Sequence, residues 1–166
     1  MKVAIAIERS IEVPAPIAQV QTLFKDLEGT IGRFPKLRKL SKLGDNEYLW
    51  EMGAIGSSIA NIAHEVSYAA KYSVDLKNNQ LSWQPIPKTG NANIEGAFKL
   101  ADRGDKTQLT FRVRGDLYDV PVPLMYRLLA PPFIQGKFTR LVDIFLERTS
   151  EALLQEPPPA SKRKTK

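Results

Sequence analysis

The stretch from Val122 to Leu154, VPLMYRLLAPPFIQGKFTRLVDIFLERTSEALL, decides the fold. Pro131 and Pro132 divide it. Before them lies a short apolar segment around Met125, Leu128 and Leu129. After them Ile134, Phe138, Leu141, Phe145 and Ala152 recur at steps of three, four or seven, and Val142, Leu146 and Leu153 widen the stripe. That is the helical period with a broad apolar face. Proline is tolerated in a first helical turn, so Pro132 is read as starting the helix rather than breaking it. About 22 residues at ~1.5 Å each give a rod of roughly 33 Å. Its wide face needs a cover.

The cover is written in the preceding residues. Residues 2–13 alternate, with Val3, Ile5, Ile7, Ile11 and Val13 on one side, and Arg9 falls on the same parity. Pro14 and Pro16 stop this strand. Ile17, Val20, Leu23, Phe24 and Leu27 then follow at helical spacing, and Gly29 to Pro35 reads as a turn or second short helix. From Leu37 the period returns to two for about 80 residues. Tyr48, Trp50 and Met52 share a face. Ile62, His64, Val66, Tyr68, Ala70, Tyr72, Val74 and Leu76 form one long alternating series. Asn78-Asn79 marks a hairpin turn. Leu81 and Trp83 continue until Pro85 and Pro87, which are expected to end that strand. Ile94 to Leu100 and Leu109 to Leu117 alternate last.

The order is thus strand, one or two short helices, about six meandering strands, then the long helix. Strands with one apolar face need a single covering layer. The terminal helix is the element long enough to supply it, so a twisted sheet must curl around it. The expected domain is 2–154. Residues 155–166 end in PPPASKRKTK and are expected to be a disordered Pro-rich and basic tail.

Length and composition fit one soluble domain of 166 residues with a real core. The net charge of +6 is local. Lys162, Arg163, Lys164 and Lys166 sit in the tail, and Arg33, Lys36, Arg38, Lys39 and Lys42 form a second acid-free cluster. The rest of the chain is net negative, which argues against nucleic-acid binding. There is no cysteine and one histidine. Thiolate chemistry and His- or Cys-rich metal sites are excluded, and no metal or cofactor is expected. No glycine-rich nucleotide motif occurs. No run approaches the ~20 apolar residues of a membrane span, and no signal peptide is apparent, so a cytoplasmic protein is expected.

The element order and the residues that carry it resemble the START-like superfamily, also called the Bet v 1-like or SRPBCC group, which includes polyketide cyclase/dehydrase and lipid-transport proteins. The entry motif is Ile11-Glu12-Val13-Pro14-Ala15-Pro16, then Val20, Leu23, Phe24, Asp26-Leu27-Glu28 and Phe34-Pro35. The aromatic before the last proline is Phe34, where the family commonly has Trp. The resemblance implies an α+β helix-grip fold, a curved antiparallel sheet of about seven strands wrapped around the C-terminal helix. It also implies a hydrophobic cavity between them. Fold alone does not choose among the activities of this group.

The residues point to a binding function rather than catalysis. Trp50, Tyr68, Tyr72, Trp83, Phe98 and Phe111 supply inward-facing rings with apolar bodies. Phe138 faces them from the helix. Met125 and Leu129 lie in a segment that reads either as a lid over the cavity or as a buried helix start. His64 is on the inward parity, where it can hydrogen-bond a ligand or be a satisfied core residue. Arg9 on a buried parity needs a partner: a ligand anion, an acidic side chain, or a route to the sheet edge. A carrier for a lipid, isoprenoid or quinone-like molecule is therefore expected. The alternatives are an aromatase/cyclase-like enzyme, with Arg9, His64 and Tyr68 orienting a polyketide-type substrate, and a membrane-surface adaptor. Lys36, Arg38, Lys39 and the basic tail are the candidate contacts with an anionic membrane.

Overall fold

The structure, a computed structural model, describes residues 1–57 and 62–155. The expected tail, from residue 156 on, lies outside the described residues. The elements run β1 (Val3–Val13), α1 (Ile17–Lys25), α2 (Leu27–Gly32), β2 (Leu37–Gly44), β3 (Glu47–Met52), β4 (Ile55–Ser57) and β5 (Ile62–His64). There follow β6 (Ser67–Asp75), β7 (Gln80–Gly90), β8 (Ala92–Arg103), β9 (Lys106–Leu117) and α3 (Ala130–Gln155). Seven strands form one antiparallel sheet in the order β1-β9-β8-β7-β6-β3-β2, and β4 and β5 pair separately. The expected α+β helix-grip architecture is what the chain adopts.

Each element follows from local chemistry. Pro131 and Pro132 occupy the first turn of α3, where their missing N–H groups cost nothing. Between α1 and α2, Asp26 redirects the chain, and its carboxylate accepts the Gly29 N–H at 3.1 Å. The β6–β7 turn is the expected one: Asn79 takes a left-handed conformation at φ 54°, which Asn tolerates. β1 returns to pair with β9 without a register break, from Val3 opposite Leu117 to Val13 opposite Thr107. The core fills the space between the inner sheet face and the buried stripe of α3, which includes Ile134, Phe138, Val142, Phe145 and Leu146.

Two expectations about strands are corrected. The series from Ile62 to Leu76 is not continuous, because β5 stops at His64 and β6 starts at Ser67. The side chain of Asn91 holds the break open. Its carbonyl accepts the Ser67 N–H at 2.9 Å and its amide donates to the Glu65 carbonyl at 2.7 Å. Pro85 and Pro87 do not end β7, which continues to Gly90. β7 pairs with β8 only from Gln80 to Trp83, so both prolines lie beyond that ladder.

Candidate functional site

The inner faces of β1, β3, β6, β7, β8 and β9 meet α2 and α3 around a chamber of about 40 Å³. Its walls are almost wholly apolar. Trp50, Tyr68, Tyr72, Trp83, Phe98, Phe111 and Phe138 line it, so seven of the eleven sequence-derived candidates come together. Two larger concavities of about 420 and 460 Å³ are more open to the surface and carry charged side chains, Arg38 and Glu65 in one and Glu95 and Arg114 in the other.

The rings form a connected lining. Trp50 stacks on Tyr68 with centroids 5.2 Å apart and planes at 23°. Tyr72 lies 5.6 Å from Trp83, and Trp83 lies 5.8 Å from Phe111. From the helix, Phe145 approaches Phe34, Phe98 and Phe111 at 5.2, 5.8 and 5.7 Å. Gly96 makes room for this arrangement: a Cβ there would collide with Trp83 Cζ2 and crowd the Arg112 carbonyl. Opposite Trp83 on the ladder, that position has to stay bare.

The polar groups among the rings are few. Trp50 Nε1 donates to the Tyr72 hydroxyl at 2.9 Å. Burial pushes the Tyr72 phenol far above its ordinary pKa; the Trp50 hydrogen bond opposes this and Tyr48 adds to it. Tyr68 is raised in the same way, by burial and then by Tyr72. Both phenols therefore stay protonated, and neither serves as a tyrosinate base. Thr30 is satisfied by donating to the Leu23 carbonyl at 3.1 Å. Trp83 is 6% exposed, and its Nε1 is buried with no hydrogen-bond partner. An unpaired buried donor is costly, which sets this N–H beside the Tyr68 and Tyr72 hydroxyls as the polar groups carried by the lining side chains.

Four candidates lie elsewhere. Arg9 keeps the inward parity, opposite Phe111, but its guanidinium runs to the flank of α3 and meets Asp143, Nε to Oδ1 at 2.9 Å. The side chain is 42% exposed, so the cost of burying its charge never arises. His64 is buried beside Asn91, with Nε2 3.4 Å from Asn91 Nδ2, and does not line the chamber. Burial lowers its pKa against the pull of Asp119, with the chain's amino terminus adding to the lowering, so the ring is neutral at pH 7. Met125 and Leu129 are 78% and 64% exposed. They neither cover the chamber nor form a buried helix start. Sequence reasoning missed Phe34 and Ile31, which close the chamber from around α2, and Phe145. The regular stripe of α3 already carried Phe145. Phe34 stood out only as the aromatic before Pro35, and no local signal marked Ile31.

Among the described residues, no three His, Asp or Glu side chains converge as a metal-ligand set. Among the same residues, no helix is long and apolar enough to cross a membrane.

A curved sheet gripping a long C-terminal helix around an aromatic chamber is the START-like, or Bet v 1-like, fold. Solved structures carry the same architecture. A Streptomyces aromatase/cyclase matches with a TM-score of 0.66 at 12% identity, over 95% of this chain and 98% of that one. A START superfamily protein from Mycobacterium smegmatis gives 0.62 at 17% identity, over 89% and 98%. Norcoclaurine synthase from Thalictrum flavum, in complex with dopamine and hydroxybenzaldehyde, gives 0.57 at 16% identity, over 95% and 91%. No family model and no curated protein matches the chain by sequence.

Proposed function

We propose that the protein binds and carries, without covalent chemistry, a hydrophobic small molecule of the lipid, isoprenoid or quinone-like class in the chamber between sheet and α3. The observation that carries this reading is the lining itself: apolar walls rich in aromatic side chains, one of which, Trp83, holds a buried indole N–H with no partner. Apolar walls supply affinity and one donor supplies orientation. That donor favours a ligand with an acceptor oxygen, such as a quinone or other carbonyl, over a plain hydrocarbon. The fold neighbour with two aromatic molecules in complex is in keeping with such a chamber.

The chamber at about 40 Å³ holds only a few waters' worth of space. Sites for drug-sized ligands span ~300 Å³ or more. Loading therefore requires the seam between α3 and the sheet to widen as rings rotate aside.

The aromatase/cyclase reading draws less support. Of Arg9, His64 and Tyr68, only Tyr68 lines the chamber. The contact of Lys36, Arg38 and Lys39 with an anionic membrane also draws less. Lys36 Nζ donates to the Ala54 carbonyl at 2.9 Å and Arg38 pairs with Glu65 at 3.0 Å, so two of these cations are engaged within the chain.

The test is native mass spectrometry and solvent extraction of the purified protein, followed by displacement of a fluorescent apolar probe by quinones and fatty acids. We expect a bound apolar species, and tighter binding of carbonyl-bearing ligands that is weakened about five- to tenfold in Trp83→Phe, the effect of losing one buried hydrogen bond. No co-purifying species together with no probe uptake would overturn the proposal.

A further inference from the structure

We infer that the short strip Leu124–Leu129 is a membrane-contact element, which places its side chains at the headgroup–acyl boundary of an anionic bilayer. The strip enters as a 3-10 turn, Leu124–Tyr126, between β9 and α3. Leu124, Met125, Leu128 and Leu129 are 80%, 78%, 92% and 64% exposed. Only two other large apolar side chains among the described residues are exposed, Leu43 and Leu154, and both stand elsewhere. None of the four lines the chamber, so the inference does not rest on the ligand reading.

Three further observations select a lipid surface. The first is charge. From Val120 to Val142 the chain carries Arg127, Lys137 and Arg140 and not one acidic residue. All three cations are exposed. Lys137 and Arg140 follow Phe133 at steps of four and three, so they share its helix face, and Lys137 Nζ sits 5.4 Å over the Phe133 ring. Two acids bound the run: Asp143 is already paired with Arg9, and Asp119, which is exposed, precedes it. Apolar side chains with one cation among them and two more on the helix that follows suit an anionic interface, which takes carbon in the acyl region and Arg or Lys at the phosphates.

The second is the backbone. Strips that leave water must satisfy their own N–H groups. Three of the strip's six N–H groups are met locally: Tyr126 N donates to the Pro123 carbonyl at 2.9 Å, Arg127 N to Leu124 at 3.3 Å and Leu129 N to Tyr126 at 3.0 Å. Pro121, Pro123, Pro131 and Pro132 have no N–H to satisfy. The third is size. Four apolar side chains within six residues fall far short of the ~20–30 residues per side of a stable protein interface, whereas a bilayer requires no complementary shape.

The test uses the full-length protein and co-sedimentation with vesicles of pure phosphatidylcholine or of mixed phosphatidylcholine and phosphatidylglycerol. We expect partition onto the mixed vesicles that weakens with salt. Leu128→Ser with Leu129→Ser should lower it about tenfold or more, and Arg127→Glu about fivefold or more. Thermal melting of the Ser variant should match the parent, since both leucines are exposed. The reversal Lys36→Glu with Lys39→Glu serves as the control and should have the smaller effect. The inference is overturned if the parent ignores both vesicle types, or if the Ser variant binds like the parent. It is also overturned if the control abolishes binding while the Ser variant keeps it. A parent that is dimeric by light scattering, with a monomeric Ser variant, would make a second copy the partner and overturn it as well. An empty chamber in the ligand assay leaves this outcome untouched.

Discussion

Two regions of this molecule are rich in large apolar side chains, and the structure treats them in opposite ways. Around Trp83 every ring is withdrawn from water and touches others. In the strip, Leu124, Met125, Leu128 and Leu129 stand in solvent. Hydropathy alone does not separate the two. Period does: the chamber residues alternate on strands or recur on α3, so their burial comes with the element's own hydrogen bonding. The strip lies between prolines that fix φ and withhold N–H groups, so it joins neither the ladder nor the long helix. An apolar segment is drawn into a core only when its backbone has a regular place to go.

The comparison can be broken most forcefully at Phe145. Phe145→Ala removes a ring that meets Phe34, Phe98 and Phe111, and it should cost about 3–5 kcal/mol in urea denaturation. A loss under ~1 kcal/mol would mean the chamber is loosely packed and already adapted to a ligand. Gly96→Ala comes next. The added methyl meets the Trp83 indole, and about 1–3 kcal/mol should be lost with a change in tryptophan fluorescence. Unchanged emission would show that the indole does not depend on the bare glycine. The smallest effect belongs to the other region: Leu128→Ser alone should move stability by no more than ~0.5 kcal/mol, because the side chain is 92% exposed. A larger loss would show the strip packed against the body of the protein in solution.

Much of this architecture was legible because it rests on short-range periodicity. The α3 stripe and the strand alternation need only neighbouring residues. The features that escaped depend on partners far along the chain. Arg9 was assigned to the right face of β1, but Asp143, which draws it out, lies 134 positions later. The gap between β5 and β6 is invisible in residues 62–76, since the amide that stabilises it belongs to Asn91. Phe34 was noticed for its place beside Pro35, and its role against Trp50 and Phe145 appears only once α2 is folded over the sheet. For the candidate site, aromatic rings on the inward parity were readable. What parity omits is how far along a curved strand the enclosure extends, so His64 was included although the chamber ends before it.

The pairing of β1 with β9 also bears on how the chain folds. Val3 finds Leu117 across nearly the whole domain, and every rung of that ladder joins residues of high sequence separation. Closing so long a loop costs entropy before any of those hydrogen bonds repays it, so this seam forms late. Even in the finished sheet β1 is an edge strand, with the Gln135 side chain engaging Ala6, and a ribosome-bound chain leaves both edges of β1 unpaired until β9 has emerged. During that interval the alternating run from Val3 to Ile7 is a template for unwanted strand pairing. The charges that follow it at Glu8, Arg9 and Glu12 interrupt that template, as charged residues beside an apolar strand do.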